Sequence, residues 1–206
     1  MEAGQQIVVQ MHGEPGSGKS TVARALGQRL GAVVLDKDVI KAALLRAGIA
    51  EQQAAPGAYE VFFAQAHALV AAGQSVILDN PVYWEPVERR WFEIAEAAGS
   101  PRILIECVCP DRKVLVHRLA TRDAVESQPR DPLDIRKHPN SAPTQYQPRL
   151  TLDTTARPVD DLVAEALAYI DGRLRADCAL NADDRSVLLK RPSGAKAPPL
   201  LAGETA

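Results

Sequence analysis

The sequence has few aromatic residues, few cysteines and almost no net charge. Aromatic side chains make up 4% of the 206 residues, and the formal net charge is −2. Proteins that bind nucleic acid along a groove usually combine a basic surface with stacking aromatic rings. Binding to an anionic membrane also needs a basic surface. The composition therefore argues against nucleic acid and membranes as partners.

Long apolar runs and a closely spaced set of cysteines are also missing. The first apolar stretch covers about five residues, whereas a membrane-spanning helix needs roughly 20. Cys107 and Cys109 lie in one apolar run and Cys178 lies in a polar stretch, so their spacing provides too few ligands for a zinc site. We expect reduced thiols in a cytoplasmic protein with no membrane segment, present as a monomer or homodimer.

Apolar runs of strand length alternate along the chain with segments of helical periodicity. The runs lie at 6–13, 31–36, 74–80, 102–109 and 149–155. Between them, apolar residues recur at helical spacing, as in Val22, Leu26 and Leu30. This alternation predicts an α/β fold with a parallel sheet of about five strands and helices on both faces, a three-layer αβα sandwich.

Two segments do not follow this pattern. Residues 127–148 contain five prolines and predict a long loop, whose basic side chains either grip an anionic substrate or are solvated. Those side chains are Arg130, Arg136, Lys137 and His138. The helical pattern ends at about residue 175, and we expect residues 176–206 to form a mostly disordered tail after a domain that covers residues 1–175. The alternative is that the segment SVLL docks on this domain.

A glycine-rich stretch joins the first predicted strand to the first predicted helix. It reads GEPGSGKS and matches the pattern G-x-x-x-x-G-K-[ST]. Glycines let successive backbone N–H groups turn towards a phosphate, Lys19 reaches the β and γ phosphates, and Ser20 offers its hydroxyl to Mg²⁺. The predicted nucleoside triphosphate site comprises Gly13, Glu14, Pro15, Gly16, Ser17, Gly18, Lys19, Ser20 and Thr21. The alternative is a chance glycine-rich turn.

Two aspartates follow the second predicted strand. Asp36 and Asp38 are separated by one residue, at the sheet edge where open α/β proteins bind their ligands. Such a pair can divide two tasks, one carboxylate lying near Mg²⁺ and the other taking a proton from an acceptor hydroxyl. The alternative is a solvated strand end at which Asp38 caps a helix.

The third predicted strand also ends in polar residues. Asp79 is a candidate for the Walker B carboxylate that holds the hydration shell of Mg²⁺, and Asn80 could orient a substrate. The Asp-Asn-Pro sequence also favours a turn, which is the competing interpretation. Trp84 either lines the acceptor site or packs at the edge of the core beside a helix start.

The segments GEPGSGKST, LDKDVIK, VILDN and HRLATR together resemble the small P-loop kinases. The similarity covers about residues 5–172 and is strongest to predicted kinases of the AAA_33 type, near chloramphenicol phosphotransferase, zeta toxin and polynucleotide 5′-kinase domains. The resemblance implies a P-loop NTPase fold with a helical or loop lid. It also implies that Asp38 is the general base, that Asp36 lies in the outer shell of the metal, and that Lys41 contacts the acceptor.

The resemblance also gives a role to two arginines after the fourth predicted strand. Arg118 and Arg122 are four residues apart, so on a helix they would share one face. In the similar kinases this segment leads into the lid, whose arginines neutralise charge on the transferring phosphoryl group. Without the resemblance, a solvated helix face is the ordinary interpretation.

Three classes of function agree with these residues. The first is a kinase that uses ATP and Mg²⁺ to phosphorylate a hydroxyl group of a small molecule. The second is a nucleic-acid 5′-end kinase, which the low aromatic content and slightly acidic balance disfavour. The third is a regulatory NTPase without an acceptor. The choice of ATP over GTP stays open, because the guanine signature N-K-x-D is absent but no motif identifies adenine.

Overall fold

The chain folds into alternating strands and helices. The computed structural model describes residues 5–82, 85–122, 128 and 144–189, and of residues 180–189 it describes the backbone alone. Within these residues the strands are β1 (Val8–His12), β2 (Val33–Asp36), β3 (Val76–Asp79), β4 (Ile103–Val108) and β5 (Leu150–Asp153). The helices are α1 (Lys19–Leu30), α2 (Lys37–Arg46), α3 (Glu51–Ala71), α4 (Glu85–Ala97), α5 (Arg112–Thr121) and α6 (Val159–Leu189).

The strands form one parallel sheet in the order β2-β3-β1-β4-β5. Every residue of β1 and of β3 is buried, as expected where helices cover both faces of a parallel sheet. Each of the apolar runs noted in the sequence contains one of these strands. The predicted α/β fold is confirmed.

Side chains of β1 alternate between two cores, one on each face of the sheet. Val9 and Met11 belong to the core formed with α1 and α6, whereas Val8 packs with Phe62 of α3 and Trp91 of α4. Alternation follows from the two-residue period of a strand. The two cores give the three layers that the sequence predicts.

The order of the strands determines where a ligand can bind. The chain passes from β1 to one side of the sheet for β2 and to the other side for β4. At such a switch point the connections after the strands diverge and leave a crevice at their carboxyl ends. The Gly13–Ser20 loop and the residues that follow β2 and β3 all lie at this edge.

The last helix is longer than the sequence analysis predicts. α6 continues beyond residue 175 to Leu189, so the backbone of residues 176–189 is helical where the sequence analysis expects a disordered tail. No proline or glycine interrupts 173–191, and alanine, leucine and arginine in this stretch favour a helix even though it is polar. Residues 190–206 and most of the predicted lid lie outside the described residues, and the boundary of the domain stays a prediction. No helix in the described part is long and apolar enough to cross a membrane.

Candidate active site

The loop between β1 and α1 has a backbone that requires glycine. Gly13 has φ of +139°, and a Cβ there would lie 2.3 Å from the Cys107 carbonyl oxygen and 2.6 Å from Ser17 Oγ. Gly18, with φ of +84°, caps α1 without a side-chain hydrogen bond. The first N–H groups of a helix have no partner within the helix, so this end of α1 can bind an anion.

Lys19 forms an ion pair with the aspartate at the end of β3. Its Nζ lies 2.7 Å from Asp79 Oδ1, and the Asp79 side chain is 1% exposed. Burial alone would lower the pKa of Lys19, but the charge and hydrogen bond of Asp79, together with Asp38 and Asp36, raise it above its usual value. Lys19 is therefore charged, and carboxylates surround it where the sequence predicts phosphates and Mg²⁺.

Asp36 lies beside Asp79 across the β2–β3 pair. The two residues are in register on neighbouring parallel strands. Burial raises the pKa of Asp36, and the charges of Asp79 and Asp38 raise it further. Asp36 Oδ1 accepts a hydrogen bond of 2.9 Å from the Asp38 backbone N–H, so Asp36 is the cap of α2. The alternative in which Asp38 caps the helix is therefore wrong.

The two carboxylates are suited to a divalent cation. Asp36 Oδ2 and Asp79 Oδ2 are buried and have no hydrogen bond within the described part of the chain, and the exposed Arg24 lies 3.7 Å from Asp36 Oδ2 as an ion-pair partner. Hard oxygen donors with spare lone pairs are the ligands that Mg²⁺ prefers. Among the described residues no set of three or more His, Cys, Asp or Glu side chains could hold a metal by itself. The donor set fits an ion that also binds phosphate oxygens and the Ser20 hydroxyl.

Asp38 is held by a lysine that the sequence analysis did not single out. Lys37 Nζ lies 2.5 Å from Asp38 Oδ1, and Gln128 Nε2 donates to Asp38 Oδ2 at 3.4 Å. Burial would raise the pKa of Asp38, but Lys37, Lys19 and Gln128 lower it below its usual value. The carboxylate is therefore ionised at neutral pH and can accept a proton.

Tyr59 of α3 completes the surroundings of Asp38. Lys37 Nζ lies 5.4 Å from the centre of the Tyr59 ring, within range of a cation–π contact. Burial and the charge of Asp38 raise the pKa of Tyr59 to about 12. Position between two aspartates is the signal that could have identified Lys37, whereas Tyr59 carries no comparable signal in the sequence.

Three other residues are predicted to contact the acceptor substrate. Two of them have partners within the protein, and the third lies outside the described residues. Lys41 Nζ lies 2.6 Å from Glu51 Oε1 at the start of α3. Asn80 is fully buried, and its backbone oxygen and Oδ1 accept hydrogen bonds from Gln10 Nε2 at 2.8 and 3.2 Å. Asn80 is therefore buried at the edge of the sheet, where Gln10 is its hydrogen-bond partner. Trp84 is outside the described residues.

The two predicted lid arginines are in different environments. Arg118 donates to Thr154 Oγ1 at 2.9 Å, to the Thr154 carbonyl at 2.6 Å and to the Thr155 carbonyl at 3.3 Å. Arg122 is the C-cap of α5, and its backbone N–H donates to the Arg118 carbonyl at 3.0 Å, so it lies one helical turn beyond Arg118 before the chain becomes extended. The Thr121 hydroxyl donates to the His117 carbonyl, a side-chain bond that competes with continuation of the helix.

A ring of polar residues crosses the sheet beside this site. His12 Nδ1 accepts from the Val82 N–H at 3.0 Å, and His12 Nε2 lies 3.7 Å from Glu106. Arg149 binds Glu106 at 3.2 Å and the Thr144 carbonyl at 2.8 Å, and the Thr144 N–H returns to the Val82 carbonyl at 3.3 Å. The sequence analysis gave these residues no role in the site, although a glutamate inside the apolar run RILIECVC signals a buried partner.

Comparison with known proteins identifies the fold. Among solved structures, a presumed kinase from Chloroflexus aurantiacus has 22% identity and a TM-score of 0.64, with 83% of this chain and 99% of that chain covered. A sugar kinase from Janibacter has 19% identity and a TM-score of 0.59, with 81% and 95% covered. APS kinase CysC from Mycobacterium tuberculosis, solved with AMPPNP and APS, has 20% identity and a TM-score of 0.57, with 81% and 98% covered.

The family is shown by a match at the level of sequence. No curated protein matches the chain at a significant level. The model of the AAA_33 family, described as an AAA domain, matches residues 8–137, which is more than half of the chain. The protein belongs to the AAA_33 family and has the fold of small P-loop kinases.

Proposed function

We propose that the protein is a kinase that transfers the γ-phosphoryl group of ATP to a hydroxyl group of a small molecule. One observation carries this proposal. Lys19 Nζ lies 2.7 Å from Asp79, Asp79 is in register with Asp36, and Asp36 Oδ1 accepts a hydrogen bond of 2.9 Å from the Asp38 N–H, so the lysine of the phosphate-binding loop and Asp38 belong to one charged cluster. A phosphoryl group bound at Lys19 would therefore lie near a base able to activate a hydroxyl.

Each residue of the cluster has a role in this reaction. The backbone N–H groups of the Gly13–Ser20 loop hold the phosphates, and Lys19 exchanges part of its pairing with Asp79 for the β and γ phosphates. Asp38 accepts the proton of the acceptor hydroxyl as the oxygen attacks phosphorus, and Lys37 with Tyr59 holds that carboxylate in place. Arg122 is a candidate for the charge that neutralises the transferring group.

Mg²⁺ would be held by Ser20, Asp36 and Asp79 together with the nucleotide, and it would supply positive charge to the phosphate oxygens. The buried oxygens of Asp36 and Asp79 that have no hydrogen bond in the described part of the chain support this assignment.

Within the residues that the structure describes, the charges around the acceptor side favour a small molecule over a nucleic-acid end. Lys37 is paired with Asp38 at 2.5 Å and Lys41 with Glu51 at 2.6 Å. A lysine that already has a carboxylate partner offers little net attraction to a polyanion. We therefore expect an acceptor with few negative charges, such as a sugar, a polyol or an amino alcohol.

A transfer assay tests the proposal. Purified protein is incubated with Mg²⁺ and γ-labelled ATP, or γ-labelled GTP, and with a panel of neutral hydroxyl compounds. Parallel reactions contain a 5′-hydroxyl oligonucleotide or no acceptor, and Asp38→Asn is the control. The expected result is label on at least one small acceptor, with one ADP or GDP formed per phosphate transferred.

Other results would identify the competing functions. Label on the oligonucleotide alone would indicate an end kinase. Hydrolysis at the same rate with and without every acceptor would indicate a regulatory NTPase. Failure of either nucleotide to bind would contradict all three functions.

A further inference from the structure

Thr154, the first residue after β5, contacts the backbone of the phosphate-binding loop. It is 4% exposed, and its Oγ1 lies 2.7 Å from the Ser17 carbonyl oxygen. A Cβ placed on Gly18 would lie 3.2 Å from the same Oγ1. No motif in the sequence marks this threonine, which lies 137 residues from Ser17 along the chain.

The direction of these hydrogen bonds follows from the groups present. Arg118 can only donate, so Thr154 Oγ1 accepts from Arg118 Nη1 at 2.9 Å. A hydroxyl has one proton to give, and the shorter of its two carbonyl contacts is to Ser17, at 2.7 Å against 3.2 Å to Val108. The guanidinium charge makes this hydroxyl a better donor to the Ser17 carbonyl.

Anchoring the Ser17 carbonyl determines the direction of the next N–H group. In a trans peptide the C=O and the following N–H point in opposite directions across a rigid plane. With the Ser17 oxygen held towards Thr154, the Gly18 N–H points away from Thr154. Gly18 has φ of +84°. The helix α1 begins only at Lys19, so its hydrogen bonds do not fix the orientation of the Ser17–Gly18 peptide.

We propose that Thr154, polarised by Arg118, is a positioning residue that orients the Ser17–Gly18 peptide so that the Gly18 N–H donates to a bound polyphosphate. Arg118 thus acts on the nucleotide site through Thr154. This differs from the lid role that the sequence similarity implies for the arginine. The inference rests on the proposed nucleotide-binding function.

Calorimetric titration with inorganic tripolyphosphate and with ATP tests the inference without any acceptor. Thr154→Val keeps the shape of the side chain and removes the hydroxyl. We expect the Kd of both ligands to rise about fivefold, the effect of losing one hydrogen bond. Once an acceptor is known, KM for ATP should rise by the same factor with kcat nearly unchanged.

Two matched variants separate this role from a general effect on folding. Thr154→Ser keeps the hydroxyl and should bind tripolyphosphate like the wild type. Thr155→Val removes the neighbouring hydroxyl, which donates to Asp153 at 2.6 Å, and should also bind like the wild type. Arg118→Met should raise the Kd for tripolyphosphate when made in the wild type. Made in Thr154→Val it should raise the Kd little further, because both changes interrupt the same chain of hydrogen bonds from Arg118 through Thr154 to Ser17.

The outcomes are distinguishable. Unchanged tripolyphosphate affinity in folded Thr154→Val, or an equal loss in Thr155→Val, would overturn the positioning role. If Thr154→Val does not fold, unchanged affinity in Arg118→Met would overturn it instead. Absence of ATP binding by the wild type would refute the proposed function, a separate result.

Discussion

At the scale of single residues, the site consists of charges that neutralise one another. Lys19 is paired with Asp79, Lys37 with Asp38 and Lys41 with Glu51, at distances of 2.5 to 2.7 Å. Breaking a buried pair leaves an uncompensated charge, which costs more than the pair contributes. Substitutions at the site therefore affect stability as well as catalysis, and both must be measured.

Replacement of the proposed base should separate binding from transfer. We expect Asp38→Asn to bind ATP with a Kd close to that of the wild type and to reduce kcat about 10²- to 10⁴-fold, the usual contribution of a general base. Asp111→Asn, which keeps a residue suited to capping α5, should leave both values unchanged. A normal kcat in Asp38→Asn would assign the base to another residue.

Loss of the P-loop lysine should weaken both binding and folding. Lys19→Met leaves Asp79 buried without its cation, so we expect the free energy of unfolding to fall by about 3 kcal/mol. The double variant Lys19→Met/Asp79→Asn should recover most of this loss while still failing to bind tripolyphosphate. Denaturant titration of the wild type, the single variants Lys19→Met and Asp79→Asn, and the double variant gives the coupling energy. Additive effects would show that the pair does not stabilise the fold.

At the scale of elements, the ring of His12, Val82, Glu106, Arg149 and Thr144 connects four parts of the chain. It joins the end of β1 and the middle of β4 to the segment after β3 and to the segment before β5. The first of these segments follows the Walker B candidate, and the second lies after the predicted lid. The hydrogen bonds of this ring orient its members more rigidly than apolar contacts do.

Neutral His12 should make the fold sensitive to acid. Burial, with Arg149 and Lys19, lowers the pKa of His12 from 6.5 to about 4, and Glu106 opposes this. Between these two values the unfolded chain binds a proton that the folded chain does not, so stability falls as pH decreases through this window and the loss levels off below about pH 4.

A glutamine variant isolates that contribution. Gln cannot titrate, yet its carbonyl oxygen can accept the hydrogen bond from the Val82 N–H. Between pH 7 and pH 5 the wild type should lose about 2 kcal/mol more stability than His12→Gln does, as measured by urea unfolding at each pH. Equal losses in the two proteins would indicate that folding does not lower the pKa of His12.

At the scale of the whole molecule, the sheet brings distant segments of the chain together at one edge. The last helix, α6, packs against one face of the sheet. Ile170 and Leu174 of α6 are buried in the core that β1 and α1 also form. Beyond Leu174, the described side chains of α6 are exposed or half-buried. The fold therefore depends on the first half of this helix.

Truncation tests this division of α6. Removal of 177–206 should leave Tm within about 2 °C of the wild type, because every side chain of α6 that the structure describes as buried is retained. Removal of 170–206 also deletes Ile170 and Leu174 and should cost several kcal/mol, given about 1.5–3 kcal/mol for each buried side chain. A large fall in Tm after the shorter deletion would extend the domain beyond residue 175.

The strands and the phosphate-binding loop are predictable because their signals are local. Runs such as QSVILDN can bury both faces only inside a parallel sheet, and GEPGSGKS needs no more than its own glycines to adopt its turns. The predicted end of the last helix is wrong because polarity alone does not exclude a helix when no breaker is present. The roles of the site residues stay predictions for the experiments above.

By itself the sequence determined the order of strands and helices, the anion-binding turn and the set of acids available near it. The tertiary structure decided which groups meet: Asp36 with Asp79 through the register of β2 and β3, Lys37 with Tyr59, and Arg118 with Thr154 and the Ser17 carbonyl. The physical reason is the separation along the chain of the residues that interact. Backbone conformation and periodicity follow from neighbouring residues, whereas a hydrogen bond or ion pair depends on distances that exist only after the sheet has formed.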